Sequence, residues 1–330
     1  MSRIIKGSRV AVVGGAGFIG SHVANLLQEN DCEVHVLDDL SVGRVEHLHV
    51  DTSIHMVDIR DPSKLRPIMH IINPHFVFNY AAHPYIPTCY EDPKKVFDVN
   101  AYGAVNVITV AKECPDIRAI LQVSSAEVYG DHSEDYSNGA SEYYTALDPL
   151  STYAAAKLAV DVYCRAVYIE SSVPVIVLRQ FNCIGARETH PYVLPEIISQ
   201  LHYNRSGNTS SIKLGNNTRR DFMDVRDAAS AAIRLMELGE LGGVYNLGSS
   251  ESYSIRQLAE ITAAIMSIYT YDIKWGTPEK VRKNELWKLQ SDNTKILSTI
   301  GKFQKHYIED AIKYAYEYFV ANGYKWSWEK

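Results

Sequence analysis

The chain has 330 residues, 46% of them hydrophobic, and a formal net charge of −6 with both signs scattered along it. That length suits a nucleotide-binding domain plus a smaller lobe. The sequence carries no basic stripe for nucleic acid and no apolar run near the ~20 residues of a membrane helix, and its first apolar stretch runs into a glycine turn rather than a signal-peptide cleavage site.

The apolar run at 10–13 predicts a buried parallel strand. Gly14-Gly15-Ala16-Gly17-Phe18-Ile19-Gly20 follows, and then a helical pattern from Ser21. Strand, glycine turn and helix in that order let backbone N–H groups approach a pyrophosphate at a helix N-terminus. The next strand, 33–38, closes on Asp38. A carboxylate at this spacing binds the adenosine ribose 2′-hydroxyl and repels a 2′-phosphate, so the cofactor reading is NAD. Arg44 nearby is the residue type that would admit NADP, which keeps that alternative open.

Further strand-like runs at 54–57, 76–79, 119–123 and 174–178 alternate with helical patterns such as 99–113 and 153–170. This predicts an α/β fold, a Rossmann-type doubly wound parallel sheet with its ligand edge at the strand C-termini. The residues of interest fall just past those strand ends: the glycine turn, Asp38, Asp58 and Ile59, Ala81, Ala82 and His83, and Ser124 and Ser125. After Arg179 the alternation breaks, and Gly, Asn, Ser and Thr cluster at 204–211 and 215–218. The expected division is a nucleotide domain over 1–180, rejoined by a segment near 225–250, and a mainly substrate-binding lobe over 181–330.

Tyr153 and Lys157 are spaced i, i+4 and share a helix face. An ammonium beside a phenol favours phenolate, so the spacing predicts a tyrosine pKa below its ordinary ~10. A phenolate can take a proton from a sugar hydroxyl while hydride leaves the same carbon. The twelve histidines show no metal spacing, and the five cysteines are odd in number with no C-x-x-C pair. Reduced thiols, a cytoplasmic setting and no metal site are the expectation.

Read together, the glycine turn, Leu37-Asp38-Asp39-Leu40-Ser41, Val57-Asp58-Ile59, Tyr80-Ala81-Ala82, Val99-Asn100, Ser124-Ser125-Ala126-Glu127-Val128-Tyr129-Gly130, Tyr153-x-x-x-Lys157, Leu178-Arg179-Gln180-Phe181-Asn182, Arg219-Arg220-Asp221-Phe222, Tyr245-Asn246-Leu247-Gly248 and Asp292-Asn293-Thr294-Lys295 resemble the extended short-chain dehydrogenase/reductase family. The resemblance is strongest to its NAD-dependent nucleotide-sugar epimerases and dehydratases. It implies that Tyr153 is the base at the sugar 4-hydroxyl, that Lys157 lowers its pKa and holds the nicotinamide ribose, and that Ser125 bonds the 4-oxygen. It implies cofactor contacts from Gly14, Gly17, Phe18, Ile19, Gly20, Asp38, Asp39, Ser41, Gly43, Asp58, Ile59, Ala81, Ala82, His83, Asn100, Ser124 and Phe181. Asn182, Arg220 and Arg282 match positions that contact the nucleotide diphosphate. The substrate would be a nucleotide sugar, foremost a UDP-sugar. A homodimer built from the helices at 99–113 and 153–170 is the family expectation.

Glu127 discriminates among reactions. In 4-epimerases that position is usually small, whereas 4,6-dehydratases and UDP-glucuronate decarboxylases commonly place Glu there to act on the C5 proton. Ala126 stands where glucose-type dehydratases carry a proton-donating Asp, and Gln180 replaces the usual Tyr or Pro. The reading leans to 4,6-dehydration. 4-Epimerisation and uronate decarboxylation are alternative reactions, and an NAD-binding sensor or scaffold is the non-catalytic alternative.

Overall fold

The computed structural model describes residues 3–131, 139–188, 192–204 and 210–326. The first half runs β1 (Arg9–Val13), α1 (Phe18–Glu29), β2 (Glu33–Asp38), β3 (Ser53–Met56), α2 (Pro62–Ile72), β4 (Phe76–Asn79), α3 (Thr88–Glu91), α4 (Pro93–Phe97), α5 (Ala104–Ala111), β5 (Ala119–Ser125), α6 (Thr152–Ser171) and β6 (Val175–Gln180). The second half runs β7 (Asn182–Ile184), α7 (Val193–Tyr203), β8 (Ser210–Lys213), β9 (Arg219–Asp224), α8 (Val225–Leu238), β10 (Val244–Leu247), β11 (Ser252–Ser254), α9 (Ile255–Ile265), β12 (Tyr271–Lys274), β13 (Lys288–Leu289), α10 (Thr294–Ile300) and α11 (Ile308–Ala321).

Seven strands form one sheet in the order β10-β6-β5-β4-β1-β2-β3, every neighbouring pair parallel. Strands β1, β4, β5 and β6 are buried almost throughout because helices cover both faces. One core layer joins Val10, Val12, Phe76, Phe78, Leu121 and Leu178 to residues of α1 and α8. The opposite layer joins Val13, Val77, Ile120 and Val177 to residues of α2, α5 and α6. The strand order reverses between β1 and β4, so a crevice opens at their carboxyl ends.

The C-terminal part builds its own core from α7, α9 and α11, with Leu194, Ile197, Leu258, Ile312 and Phe319 buried. There β9 pairs with β11, β13 and β7. Asp221 at its centre accepts from the Ser249 amide (2.6 Å) and the Ser291 amide (2.9 Å), tying three segments to one buried carboxylate. Strand β10 pairs with β6 at the sheet's edge, so the chain returns to the sheet after building part of this lobe. All five cysteines are free thiols. Among the described residues no helix is long and apolar enough to cross a membrane, and no cluster of metal-ligating side chains occurs.

Candidate active site

The crevice begins at the glycine turn. Gly14 has φ +72°, and a Cβ there would lie 2.5 Å from the Ala81 amide nitrogen, so β1 and β4 can converge only on glycine. At Gly17 a Cβ would meet only the Gly14 carbonyl oxygen, at 3.3 Å, and the chain's own packing leaves room. Gly17 is also the N-cap of α1, with no side-chain cap and no acidic residue in the first turn. Phe18 and Ile19 open that helix with their first-turn amides uncapped, which suits an anion.

Asp38 sits beside this turn and is 8% exposed. Its carboxylate accepts from the Ala16 amide (3.0 Å) and the Leu40 amide (2.9 Å). Burial raises its pKa against those two bonds. Gly43 lets the following loop close on it, since a Cβ there would fall 2.8 Å from Asp38 Oδ1. Asp39 Oδ1 accepts from the Ser41 amide (3.0 Å), and Arg44 Nη1 donates to the Gly43 carbonyl (3.1 Å).

The next loops are pinned from below. Asn106 donates to the Ile59 carbonyl (3.0 Å), and Asp58 is paired with Arg60 at 2.6 Å. Asn100 accepts from the His83 amide (2.6 Å) and donates to the His83 carbonyl (3.0 Å), fixing the backbone after Ala81 and Ala82. Asn100 lies in a π-helical turn, Asp98–Gly103, where the sequence pattern predicted plain helix. Such turns recur at functional sites because they redirect one side chain out of register.

At the end of β5, Ser124 and Ser125 are buried. Ser125 caps the following turn by accepting from the Glu127 amide (3.2 Å). Helix α6 starts at Thr152, capped by Ser151, whose hydroxyl accepts from the Ala154 amide (3.1 Å). That start brings Tyr153 to Ser125, with which it shares a side-chain hydrogen bond. Lys157, one turn on, is 3% exposed and donates to the Val123 carbonyl (3.0 Å). Its ammonium lies 6.0 Å from the Tyr153 ring centre.

The pKa expectation for Tyr153 is reversed here. Burial pushes its hydroxyl up to about 12; the Ser125 hydrogen bond and the Arg282 guanidinium pull down, and the Glu127 carboxylate pushes up. Burial also lowers Lys157 to about 8. Desolvation outweighs the helix-face pairing read from the sequence because both groups are enclosed.

Arg282, for which the resemblance implies a diphosphate contact, is also paired with a carboxylate of the site. Its Nη1 donates to Glu127 Oε1 at 2.9 Å, with the two side chains 29% and 15% exposed. It stands within electrostatic reach of Tyr153, Tyr85 and Tyr192. Arg220 is buried, donates to the Leu286 carbonyl (2.7 Å) and approaches Glu285 at 3.4 Å. Burial, then the neighbouring Arg282, lowers Arg220 to about 10. Asn182 is exposed at the start of β7, and Phe181 is buried with its amide on the Leu247 carbonyl (2.9 Å).

This geometry can be set beside known proteins. The family model described as "NAD dependent epimerase/dehydratase family" matches residues 10–248. The chain belongs to that family. GDP-6-deoxy-D-mannose reductase of Pseudomonas aeruginosa is 27% identical, over 89% of this chain and 91% of the relative. dTDP-D-glucose 4,6-dehydratase of Mus musculus is 26% identical, over 96% and 90%. The structure of a UDP-glucose 4-epimerase from Thermotoga maritima, with UDP-glucose, superposes at a TM-score of 0.85 with 25% identity, covering 95% of this chain and 99% of that one. These relatives catalyse a reduction, a dehydration and an epimerisation, so likeness alone leaves the reaction open.

The residues present fit the family's NAD. Gly17 is open where a pyrophosphate would approach the uncapped amides of α1, and the Asp38 carboxylate stands beside that turn. What the sequence reading missed lies behind the site. Arg179 and Asp161 form a buried ion pair at 2.7 Å, their side chains 6% and 5% exposed. Arg179 also donates to the Tyr129 hydroxyl (2.9 Å), which donates to Asn246 (2.7 Å). The Ser124 hydroxyl reaches Asp161 at 3.4 Å. The available signal was Asp161 following Tyr153 and Lys157 at the same four-residue spacing, on a helix face that is otherwise apolar.

Proposed function

We propose that this protein is a nucleotide-sugar 4,6-dehydratase that first oxidises its substrate at C4. The observation that carries the reading is Glu127, a carboxylate held by Arg282 within electrostatic reach of the Tyr153 hydroxyl. A second base beside the first has a use after C4 oxidation, when the C5 proton becomes acidic; simple 4-epimerisation has none.

Bound NAD supplies the hydride acceptor. Tyr153 takes the proton of the 4-hydroxyl, and Ser125 hydrogen-bonds the same oxygen. Lys157 steadies that end of the site from the Val123 carbonyl. Glu127 then removes the C5 proton. Ala126 carries no proton for the departing 6-hydroxyl, so Glu127, now protonated, is the acid beside it, and water leaves a 4-keto-5,6-ene; return of the hydride to C6 and of a proton to C5 would then give the methyl group and restore the oxidised cofactor. Arg220 with Arg282 supplies the cationic side that a nucleoside diphosphate requires. Residues 1–180 with β10 serve as the nucleotide domain and most of 181–330 as the sugar-binding lobe.

A second reading has its own support. A guanidinium beside Glu127 and Tyr153 is also what a C6 carboxylate would seek, which favours decarboxylation of a UDP-uronic acid. The test is NMR of products from UDP-glucose, UDP-N-acetylglucosamine and UDP-glucuronate with their TDP and GDP analogues. A new methyl group with loss of the 6-hydroxyl is expected, and Glu127→Gln should lower its formation by about 10²–10⁴. Inversion at C4 with no methyl group would overturn dehydration in favour of epimerisation. Release of CO₂ would favour the second reading.

The free thiols suit a reducing, cytoplasmic setting. A homodimer is supported by exposed apolar side chains on the expected helices: Tyr102 (53% exposed), Val162 (56%) and Ile169 (70%). Sedimentation should give twice the 37.1 kDa chain mass. A monomer at micromolar concentration would remove this part of the reading.

A further inference from the structure

Ten consecutive residues, 276–285, include none that is buried. The segment is nevertheless held firmly at each end. Before it, β12 pairs with β8, and the Gly276 and Thr277 amides donate to the carbonyls of Gly215 (3.0 Å) and Leu214 (3.1 Å). After it, Leu286 and Leu289 are buried in one cluster with Ala126, Val128 and Tyr129, and the Trp287 carbonyl accepts from the Arg219 amide (2.8 Å). Gly276, at φ +69° with open space where a Cβ would stand, gives the first end a pivot.

Between those ends the chain crosses the cleft on polar side-chain contacts. On the lobe side, Lys280 Nζ meets Glu196 Oε1 at 2.7 Å, and Asn216 Nδ2 donates to Glu285 Oε2 (3.1 Å). On the nucleotide-domain side, Arg282 Nη1 donates to Glu127 Oε1 (2.9 Å) and Asn284 Nδ2 to the Leu150 carbonyl (3.1 Å), while Lys283 Nζ stands 4.9 Å from the Tyr90 ring centre. Glu127 follows Ser125 by two residues and Leu150 precedes Tyr153 by three, so the segment reaches across beside the reacting groups. Partly exposed polar contacts hold weakly, and a stretch without an apolar anchor opens before the core around it.

The contact between Arg282 and Glu127 has a second effect. A guanidinium at this distance favours the carboxylate over the acid, which makes Glu127 a poorer proton acceptor while the two are joined. A diphosphate offers that guanidinium more charge and a bidentate partner.

We infer that residues 276–285 form a lid over the sugar site, latched by Arg282 on Glu127, and that a nucleotide diphosphate, by taking the guanidinium, exchanges this latch for one on the ligand and frees the carboxylate. The inference rests on the reading of the substrate as a nucleotide sugar and of Glu127 as the C5 base.

The lid carries three trypsin sites, Lys280, Arg282 and Lys283, and cleavage there requires the segment to open. The test is limited trypsin digestion of the full chain, with cut sites read by mass spectrometry and UDP as the probe. Without nucleotide, Glu127→Gln, which removes the charge and keeps the shape, should be cut at 280–283 about threefold faster or more. UDP at about ten times its dissociation constant should slow cleavage of the parent about tenfold. At one saturating UDP concentration the two proteins should be cut at rates within about twofold, since the guanidinium has left Glu127 in the parent too. Calorimetry should find UDP bound about threefold more tightly by Glu127→Gln, which has no latch to break. Equal cleavage of parent and variant without nucleotide would overturn the latch, and cleavage untouched by bound UDP would overturn the lid. Should Glu127→Gln fail to fold, Asn284→Ala should speed cleavage after Lys280 by about twofold, and an unchanged rate would overturn the lid. Failure of UDP to bind would overturn the exchange together with the nucleotide-sugar reading. Methyl product formed by Glu127→Gln at the parent rate would overturn its role as base and leave the cleavage result standing.

Discussion

Replacing Tyr153 by Phe is expected to lower turnover by about 10²–10⁴ while leaving NAD bound, because it removes one proton acceptor and nothing that holds the dinucleotide turn. The pH profile carries the sharper content. Burial pushes the Tyr153 hydroxyl up to about 12 and Lys157 down to about 8. A base must be deprotonated to act, so a raised pKa means that activity increases with pH. The kcat/KM profile, which reports groups of the free enzyme, should climb through the neutral and mildly alkaline range instead of levelling near pH 6. Tyr153→Phe should abolish that limb. Near-full activity in the Phe variant, measured by product NMR and by turnover, would eliminate Tyr153 as the base.

Asp161→Ala should destabilise the protein by about 3–5 kcal/mol, since it strands the Arg179 guanidinium in the interior. The pair is buried at 2.7 Å, and Arg179 keeps only its bond to the Tyr129 hydroxyl once the carboxylate is gone. For a chain of this size that corresponds to a fall in Tm on the order of 5–10 °C, read by calorimetry. The double replacement Asp161→Leu with Arg179→Met should recover most of the loss, because two apolar groups of similar volume need no partners. If Asp161→Ala melts within a degree of the parent, the pair contributes nothing to holding α6 against β6. Should the double variant be stable yet slow, the network's purpose is alignment: Asp161 also receives the Ser124 hydroxyl, next to Ser125.

The parts of the molecule legible in the sequence are those whose signals are local. Strand β2 was legible to the residue at 33–38, and β4 at 76–79, because each is a short apolar run between turn signals. The glycine turn, Asp38 and the order Ser125, Tyr153, Lys157 were legible because strand-end and helix-face spacing are fixed by backbone geometry. The strand predicted at 119–123 runs on to Ser125, since the two serines continue the ladder while their hydroxyls turn to Asp161 and Tyr153. The features that escaped were long-range. Nothing near Arg282 announces Glu127, its partner 155 positions away in the chain. The direction of the Tyr153 shift escaped too, because desolvation depends on everything packed around a group and not on its neighbour one turn along.

The last strand of the sheet carries a consequence for biogenesis. Val244–Leu247 completes the edge beside β6, yet the ribosome delivers it well after Gln180 has emerged. Until then β6 offers an open row of amide and carbonyl groups on a strongly apolar strand, the kind of edge that recruits other chains. Sheet closure is thus a late, high-contact-order event, and nascent or truncated forms ending before residue 244 would depend on chaperones to stay out of aggregates.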